Sequence, residues 1–425
     1  MINPRLTLRV YFARLPLTDR ITFFKELQSS VAYGIFAGLA LPLLPIVART
    51  IGMSPAGITA MVTMQFIGSL FGIVVGRLVD RLPKMPFALW PSLIARASLA
   101  GLVFVRKPVP YLIIVSFFYL IMNLNGPAYS SIMRTNYSDA NRGRLMGNIR
   151  VAVVIVSALF SAIGGLILSR NGHLVRWLFL VASIAGVLSS LAFGTIKVRR
   201  APDLPHSTPK APLRQSLRVV WHNKPYVIYN ALMFLCALPD KLSIPLEPIW
   251  FVDDLHLDYA AASILLGTVV AVVSIGGYML WARALRGFNS FMVLGLVVLA
   301  FAGRYAALGL ARTPAQLIPM SILSGLNNAG WDLVPIFCMI QVADPENFSL
   351  YIGLNTTLFG IRGLIGPSLG TFLYSSGALP MSGIFLLIAG LIALGGVLLL
   401  LYSRRVAQDV RSRARRRKPY PSAAG

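Results

Sequence analysis

Runs of about twenty apolar residues, separated by short polar segments, recur along the whole chain. A bilayer core about 30 Å thick is crossed by roughly 20 helical residues rising 1.5 Å each. Such runs occupy residues 27–48, 56–76, 86–105, 109–132, 145–168 and 174–193. Six more occupy 227–250, 260–282, 291–308, 315–340, 350–374 and 380–401. They are apolar on every side and end in Lys/Arg or Gly/Pro clusters, whereas membrane β-strands alternate over about ten residues. The pattern predicts an all-α membrane protein with 12 transmembrane helices.

The runs also repeat. Pro42, Leu43, Leu44, Pro45 and Ile46 recur as Pro245, Leu246, Glu247, Pro248 and Ile249, and the spacing of Gly147 and Gly164 returns in Gly353 and Gly370. Both matches fall at an offset of 203 to 206 residues. An even number of crossings returns the chain to its starting side, so the second six-helix repeat is parallel to the first. The expected organisation is an N-terminal six-helix bundle over 1–196, a polar, Pro-rich cytoplasmic linker over 197–225, a C-terminal six-helix bundle over 226–403 and a basic cytoplasmic tail over 404–425. Two such halves around a central pathway suit alternating access.

Composition confirms the solvent. With 56% hydrophobic and 12% charged residues and a mean hydropathy of +0.72, the chain lies far from the soluble average. Its net charge of +25 has a topogenic reading. Arg5, Arg9, Arg14, Arg20 and Lys25, the loop with Arg77, Arg81 and Lys84, the linker and the tail all fall on one side. Cytoplasmic loops carry such an excess, so both termini are expected inside, in a cell membrane, and no nucleic-acid partner is implied. The first apolar run is long enough to span and lacks a small-residue cleavage site, so it is expected to be retained.

Little supports catalysis. The two cysteines, Cys236 and Cys338, lie inside predicted spans, and the four histidines lie in predicted loops. That leaves no metal cluster, no disulfide framework and no histidine centre within the helices. There is no phosphate-cradling Gly-rich loop ending in Lys-Ser/Thr. The expectation is a protein that is not an enzyme and that holds no cofactor and no metal.

The residues that stand out are polar groups at membrane depth, where a central charge costs about 2.5–3.5 kcal/mol on insertion scales. These are Asp240, Lys241 and Glu247 in the seventh span and Asn327, Asn328 and Asp332 in the tenth. A proton-coupled carrier needs an acid that binds and releases a proton as its surroundings change. Asp332 and Asp240 are the candidates, and the competing reading pairs them permanently with Lys241 or Arg362. Arg96, Arg150 and Arg304 lie nearer span ends, where a long side chain is expected to reach the headgroups.

The segment Gly76, Arg77, Leu78, Val79, Asp80, Arg81, Leu82, Pro83 and Lys84 resembles the loop signature of the major facilitator superfamily. Gly76, Leu78, Asp80, Arg81 and Lys84 match, while Pro83 replaces a usual glycine and Met85 a basic residue. The resemblance implies a gating motif of Gly76, Asp80, Arg81 and Lys84, with Asp80 capping a neighbouring helix. It also implies that the first, fourth, seventh and tenth spans line a central cavity. That brings Tyr33, Asn123 and Asn125 to the cavity with the polar residues above, and puts Arg362 on a flanking helix. Gly363, Gly366, Pro367 and Gly370 look like the glycine-proline signature of the superfamily's antiporters, in the eleventh span rather than the fifth, and serve as packing or hinge positions.

The function implied is secondary active transport of a small organic solute by alternating access, coupled to protons, by a monomer embedded in the lipid bilayer. Export of an amphipathic compound and proton-linked import of a metabolite both fit, as antiporter or symporter. The alternative from another class is a non-transporting receptor or assembly protein on the same scaffold.

Overall fold

A computed structural model of the chain describes residues 15–70, 83–198, 222–343 and 348–416. Within them the first half contains α1 (Leu17–Ala40), α2 (Leu44–Thr50), α3 (Pro55–Leu70), α4 (Lys84–Ser98), α5 (Pro108–Met122), α6 (Gly126–Asn136), α7 (Asp139–Arg170) and α8 (Val175–Gly194). The second half contains α9 (Lys224–Ser243), α10 (Leu246–Ile249), α11 (Tyr259–Ala262), α12 (Val270–Gly287), α13 (Ser290–Leu310), α14 (Ile318–Val342), α15 (Phe348–Ser375) and α16 (Met381–Arg416). Among the described residues there is no strand, and nine helical stretches are long and apolar enough to cross a membrane. α14 and α15, of 25 and 28 residues, fall outside those nine. Asn327, Asn328 and Asp332 all lie in α14.

The repeated prolines have a visible effect. The first span breaks between α1 and α2 at Leu41–Leu43, and the seventh breaks between α9 and α10 at Ile244–Pro245. A proline removes one ladder hydrogen bond and crowds the preceding turn, so the same break recurs where the same prolines recur. The fourth span, expected to be continuous over 109–132, is interrupted by a tight turn at Asn123–Asn125, just before Gly126 and Pro127. Residues Trp250–Asp254 and Ser263–Val269 wind as π-helix.

Two boundaries differ from expectation. α1 starts at Leu17, well before Leu27, and buries Asp19 and Glu26 at 2% and 1% exposure. These acids find donors inside the bundle: Asp19 accepts from the Ser138 backbone N–H at 3.1 Å, the Ser138 hydroxyl at 2.6 Å and Asn141 at 2.9 Å. It thereby caps the start of α7 from another helix, a favourable place for a carboxylate. At the other end, α16 runs on to Arg416, into the segment expected to be a tail.

Within the first half α1 packs on α7 and α8; within the second, α13 packs on α14 and α16, and α9 on α15 and α16. The halves meet along α3 with α15 and along α7 with the Ser263–Val269 turn.

Candidate functional site

Because successive spans alternate in direction, one face of the bundle gathers the start of α1, the end of α14 and the start of α16's tail. The opposite face gathers α2, the Trp250–Asp254 turn and the end of α15. The two faces are built differently.

Three pairings close the opposite side, and between the same elements as the second of them the Thr268 hydroxyl donates to the Ala158 carbonyl of α7 at 3.3 Å. Arg49 at the end of α2 forms an ion pair with Asp253, its near counterpart in the other repeat, and donates from Nη1 to the Met53 carbonyl at 2.9 Å. Ser161 of α7 donates to the Ser263 carbonyl at 2.6 Å, and Ser263 returns a bond to the Ser161 carbonyl at 2.6 Å. Thr59 of α3 bonds Thr371 of α15 through their hydroxyls. In these two hydroxyl clasps Thr59 and Ser263 stand at the repeat offset, whereas their partners Thr371 and Ser161 stand about one helical turn away from it. Gly267 makes the first clasp feasible, since a Cβ there would overlap the Ser161 side chain.

On the terminal side the halves enclose a cavity of about 830 Å³. Glu26, Ser29, Ser30 and Tyr33 all reach it from α1, spaced so that they share one face of a helix. Ser92 and Arg96 enter from α4, Asn125 and Tyr129 from the fourth span, and Arg150 from α7. The second half contributes Tyr278, Ala282, Asp332 and Leu333. The first, fourth and tenth spans contribute to this lining and the seventh does not, while the third, fifth, sixth and eighth also contribute and the walls come mostly from the first half.

Charge is arranged in three groups. Glu26 accepts from Tyr129 at 2.6 Å on one oxygen and from Tyr137 on the other, and among the described residues it has no cation partner. Asp332 receives Arg150 at 2.8 Å and the Tyr278 hydroxyl at 2.6 Å, a strut between the halves that is half exposed to the cavity. The third group lies outside the cavity lining. Lys241 pairs with Asp240 at 2.5 Å, and Arg304 with Glu247 at 2.7 Å. The Tyr305 hydroxyl stands 2.8 Å from Asp240 and 2.7 Å from the Ser243 hydroxyl, which stands 2.9 Å from Glu247, so two hydroxyl protons are shared among three contacts that join the two pairs. Lys241 also stands 5.5 Å from the Phe66 ring and 5.2 Å from the Phe359 ring.

Several expectations change on these distances. Arg96 and Arg304 turn into the bundle, because serine hydroxyls and Glu247 offer them acceptors that a membrane surface would otherwise supply. Arg150 meets Asp332 inside the cavity. Asp240 has Lys241 as its cation, whereas Asp332 has Arg150 rather than Arg362. Arg362 is 3% exposed and donates to the Met233 carbonyl at 2.8 Å. Asn123 bonds its own helix at the Tyr119 carbonyl, Asn328 is exposed, and Asn327 is buried with its Oδ1 unbonded among the described residues. Gly76, Asp80 and Arg81 lie outside the described residues; Lys84 bonds Thr135 at 3.2 Å. Pro367 sits inside a continuous α15, Gly363 faces the Phe66 ring, and Gly366 and Gly370 face the α9 backbone at Lys241 and Leu242.

Glu26 is the residue that sequence reasoning missed. It precedes the apolar run, in a stretch that hydropathy assigns to the membrane edge. The spacing of Glu26, Ser29, Ser30 and Tyr33 along one helical face was the available signal.

Solved structures share this architecture. The nucleoside transporter NupG superposes with a TM-score of 0.66 at 14% identity, covering 89% of this chain and 99% of that one. A bacterial homolog to the human lysosomal transporter Spinster, in an inward-facing and unoccupied conformation, gives 0.63 at 15% identity, covering 92% and 96%. An auto-inhibited POT family peptide transporter gives 0.63 at 13% identity, covering 92% and 97%. By sequence, the chain is also 23% identical over 400 residues to NADH-quinone oxidoreductase subunit N of Paenibacillus sp. (strain JDR-2), covering 87% of this chain and 72% of that protein. At these identities the structural likenesses speak for the fold. The model of the Major Facilitator Superfamily matches twice in succession, over residues 29–239 and 229–424, once for each repeat. The chain is a transporter-type membrane protein that belongs to the Major Facilitator Superfamily.

Proposed function

We propose that this chain carries a small organic solute across the membrane by alternating access, with the proton as coupling ion and Glu26 as the group that takes it. The observation that carries the reading is the asymmetry of the interface between the halves: a solute-sized cavity on the terminal side, three pairings on the other. Ligand sites typically measure about 300–1,000 Å³. The excess of basic residues in the loops of the terminal side supports a cytoplasmic location for that side.

Glu26 suits proton coupling better than Asp240 or Asp332, because each of those already has a cation. A buried carboxylate without one is costly in its charged form, and a proton removes the cost. The groups around Glu26 are Tyr129 and Tyr137, with Arg96 on α4 and the Arg150–Asp332 pair elsewhere in the cavity wall. Lys25 is engaged with the Thr195 carbonyl at 2.5 Å.

The test is reconstitution into liposomes that contain a pH-sensitive dye, challenged with a panel of metabolites and antimicrobials. The expected result is a solute-dependent change of internal pH that Glu26→Gln abolishes, while solute exchange at equal concentration persists. Solute flux with no pH change in the unsubstituted protein overturns proton coupling. A protein that moves nothing in the panel and exchanges nothing overturns transport itself.

A further inference from the structure

Four of the buried or half-buried cations described so far face a carboxylate: Arg49 with Asp253, Arg150 with Asp332, Lys241 with Asp240 and Arg304 with Glu247. Among the described residues Arg96, in the cavity wall, does not. It is 7% exposed, and its Nη1 donates to the Gly186 carbonyl at 3.2 Å and to the hydroxyls of Ser189 and Ser190, each at 3.0 Å. All three acceptors are neutral and belong to α8. The guanidinium carbon stands 4.9 Å from the Tyr33 ring and 5.7 Å from the Phe36 ring, and Nε is buried with no acceptor among the described residues.

A guanidinium in apolar surroundings is costly unless its charge is balanced, and charges kept at membrane depth mark solute and ion pathways. The two carboxyls of the cavity do not balance this one. Among the described residues Glu26 forms no ion pair with Arg96 and is held by two tyrosines instead, and Asp332 is taken by Arg150. The second buried arginine without a carboxylate, Arg362, is not in the cavity wall. The balancing charge is therefore left for the solute to bring.

We propose that the solute is an organic anion whose oxyanion group, such as a carboxylate, is bound by Arg96, with its apolar body against Met122, Met146 and Phe193. The inference rests on the reading of this cavity as the solute site. Planar guanidinium groups bind such oxyanions with paired N–H donors, which lysine cannot reproduce. Asn125 adds a donor amide nearby, now turned to Ser92 at 2.5 Å, and the Tyr33 and Phe36 rings hold the guanidinium in place.

The proposal is tested on the full chain by placing a thiol in the cavity wall with Ser30→Cys. Cys236 and Cys338, both buried, are replaced by alanine. Two methanethiosulfonate reagents of similar size, one carrying a sulfonate and one a trimethylammonium group, are compared, each rate divided by its rate with a free thiol. The expected result is a preference for the anionic reagent that falls about tenfold with Arg96→Gln, as expected for the loss of one nearby charge, and survives Arg96→Lys, which keeps the charge should the glutamine variant misfold. A preference for the cationic reagent, or a preference that Arg96→Gln leaves unchanged, overturns the anionic class while the cavity and transport stand. Failure of both reagents to react means that the cavity is closed to solutes, and overturns this proposal together with the reading on which it rests.

Discussion

Glu247 and Arg304 illustrate why single residues inside this bundle act as pairs. Each is largely withdrawn from solvent, at 18% and 13% side-chain exposure, and each supplies the charge that makes the other tolerable. Removing one partner of a buried pair leaves an uncompensated ion and costs about 3–5 kcal/mol, whereas replacing both by apolar groups of similar shape is often near neutral. Glu247→Leu and Arg304→Met are each expected to lower the unfolding midpoint of the purified protein sharply, and the double variant to recover most of the loss. Additive losses would show that the two groups do not depend on each other. Half of this network was readable beforehand: Asp240, Lys241 and Glu247 are conspicuous because ionised groups do not belong in an apolar run. The other half was not. Arg304 and Tyr305 sit on a flanking helix, and hydropathy gives the depth of a residue but not the direction in which it points. Glu26 was hidden for a different reason, since the polar head of α1 is stabilised by the partners of Asp19 and Glu26 on other elements, which a window of neighbours in sequence does not contain.

At the scale of elements, sequence and structure agree where the cause is local. Apolar length made the spans, and Pro42, Pro45, Pro245 and Pro248 made the matching breaks in the first and seventh. Long-range causes were less legible. The glycines of α15 gave no sign of which helix they meet, yet a Cβ on Gly366 would overlap Lys241 and one on Gly370 would overlap the Leu242 carbonyl oxygen. Both contacts involve backbone or the root of a side chain, neither of which can move aside. Gly370→Ala is therefore expected to force α9 and α15 apart and to cost about 1–3 kcal/mol or more, the usual range for overpacking. Gly390→Ala, on α16 with open space around its Cβ position, is the control and is expected to leave the unfolding midpoint nearly unchanged. Equal effects of the two would remove the argument from close approach. Because Lys241 lies at this contact, Gly366→Ala is also expected to disturb its pairing with Asp240.

For the whole molecule, the proposed alternating access makes the pairings of the opposite side the contacts that must break for that side to open. The Arg49–Asp253 pair is partly exposed, at 21% and 34%, and exposed pairs contribute only about 0–1 kcal/mol. Asp253→Asn is thus expected to raise the reactivity of a thiol between the halves, introduced as Thr268→Cys, by no more than about fivefold. Exchanging the charges with Arg49→Asp and Asp253→Arg is expected to restore the original rate. A much larger rise would mean that the ion pair, rather than the two hydroxyl clasps, holds that side shut.

The lopsided lining of the cavity has its own consequence. Nearly every polar group that a solute would meet belongs to the first half, while the second half supplies one side of the Arg150–Asp332 strut with Tyr278 beside it. One half is then the container and the other the shutter. On the reading of this cavity as the solute site, substitutions in the container, as at Asn125 or Tyr129, are expected to reorder which solutes win in competition, and substitutions in the shutter, as Tyr278→Phe, to change turnover while leaving that order intact. A competition series run on both sets of variants would separate the two, and the same division marks α1 and α4–α8 as the part to alter if this transporter were to be given a different cargo.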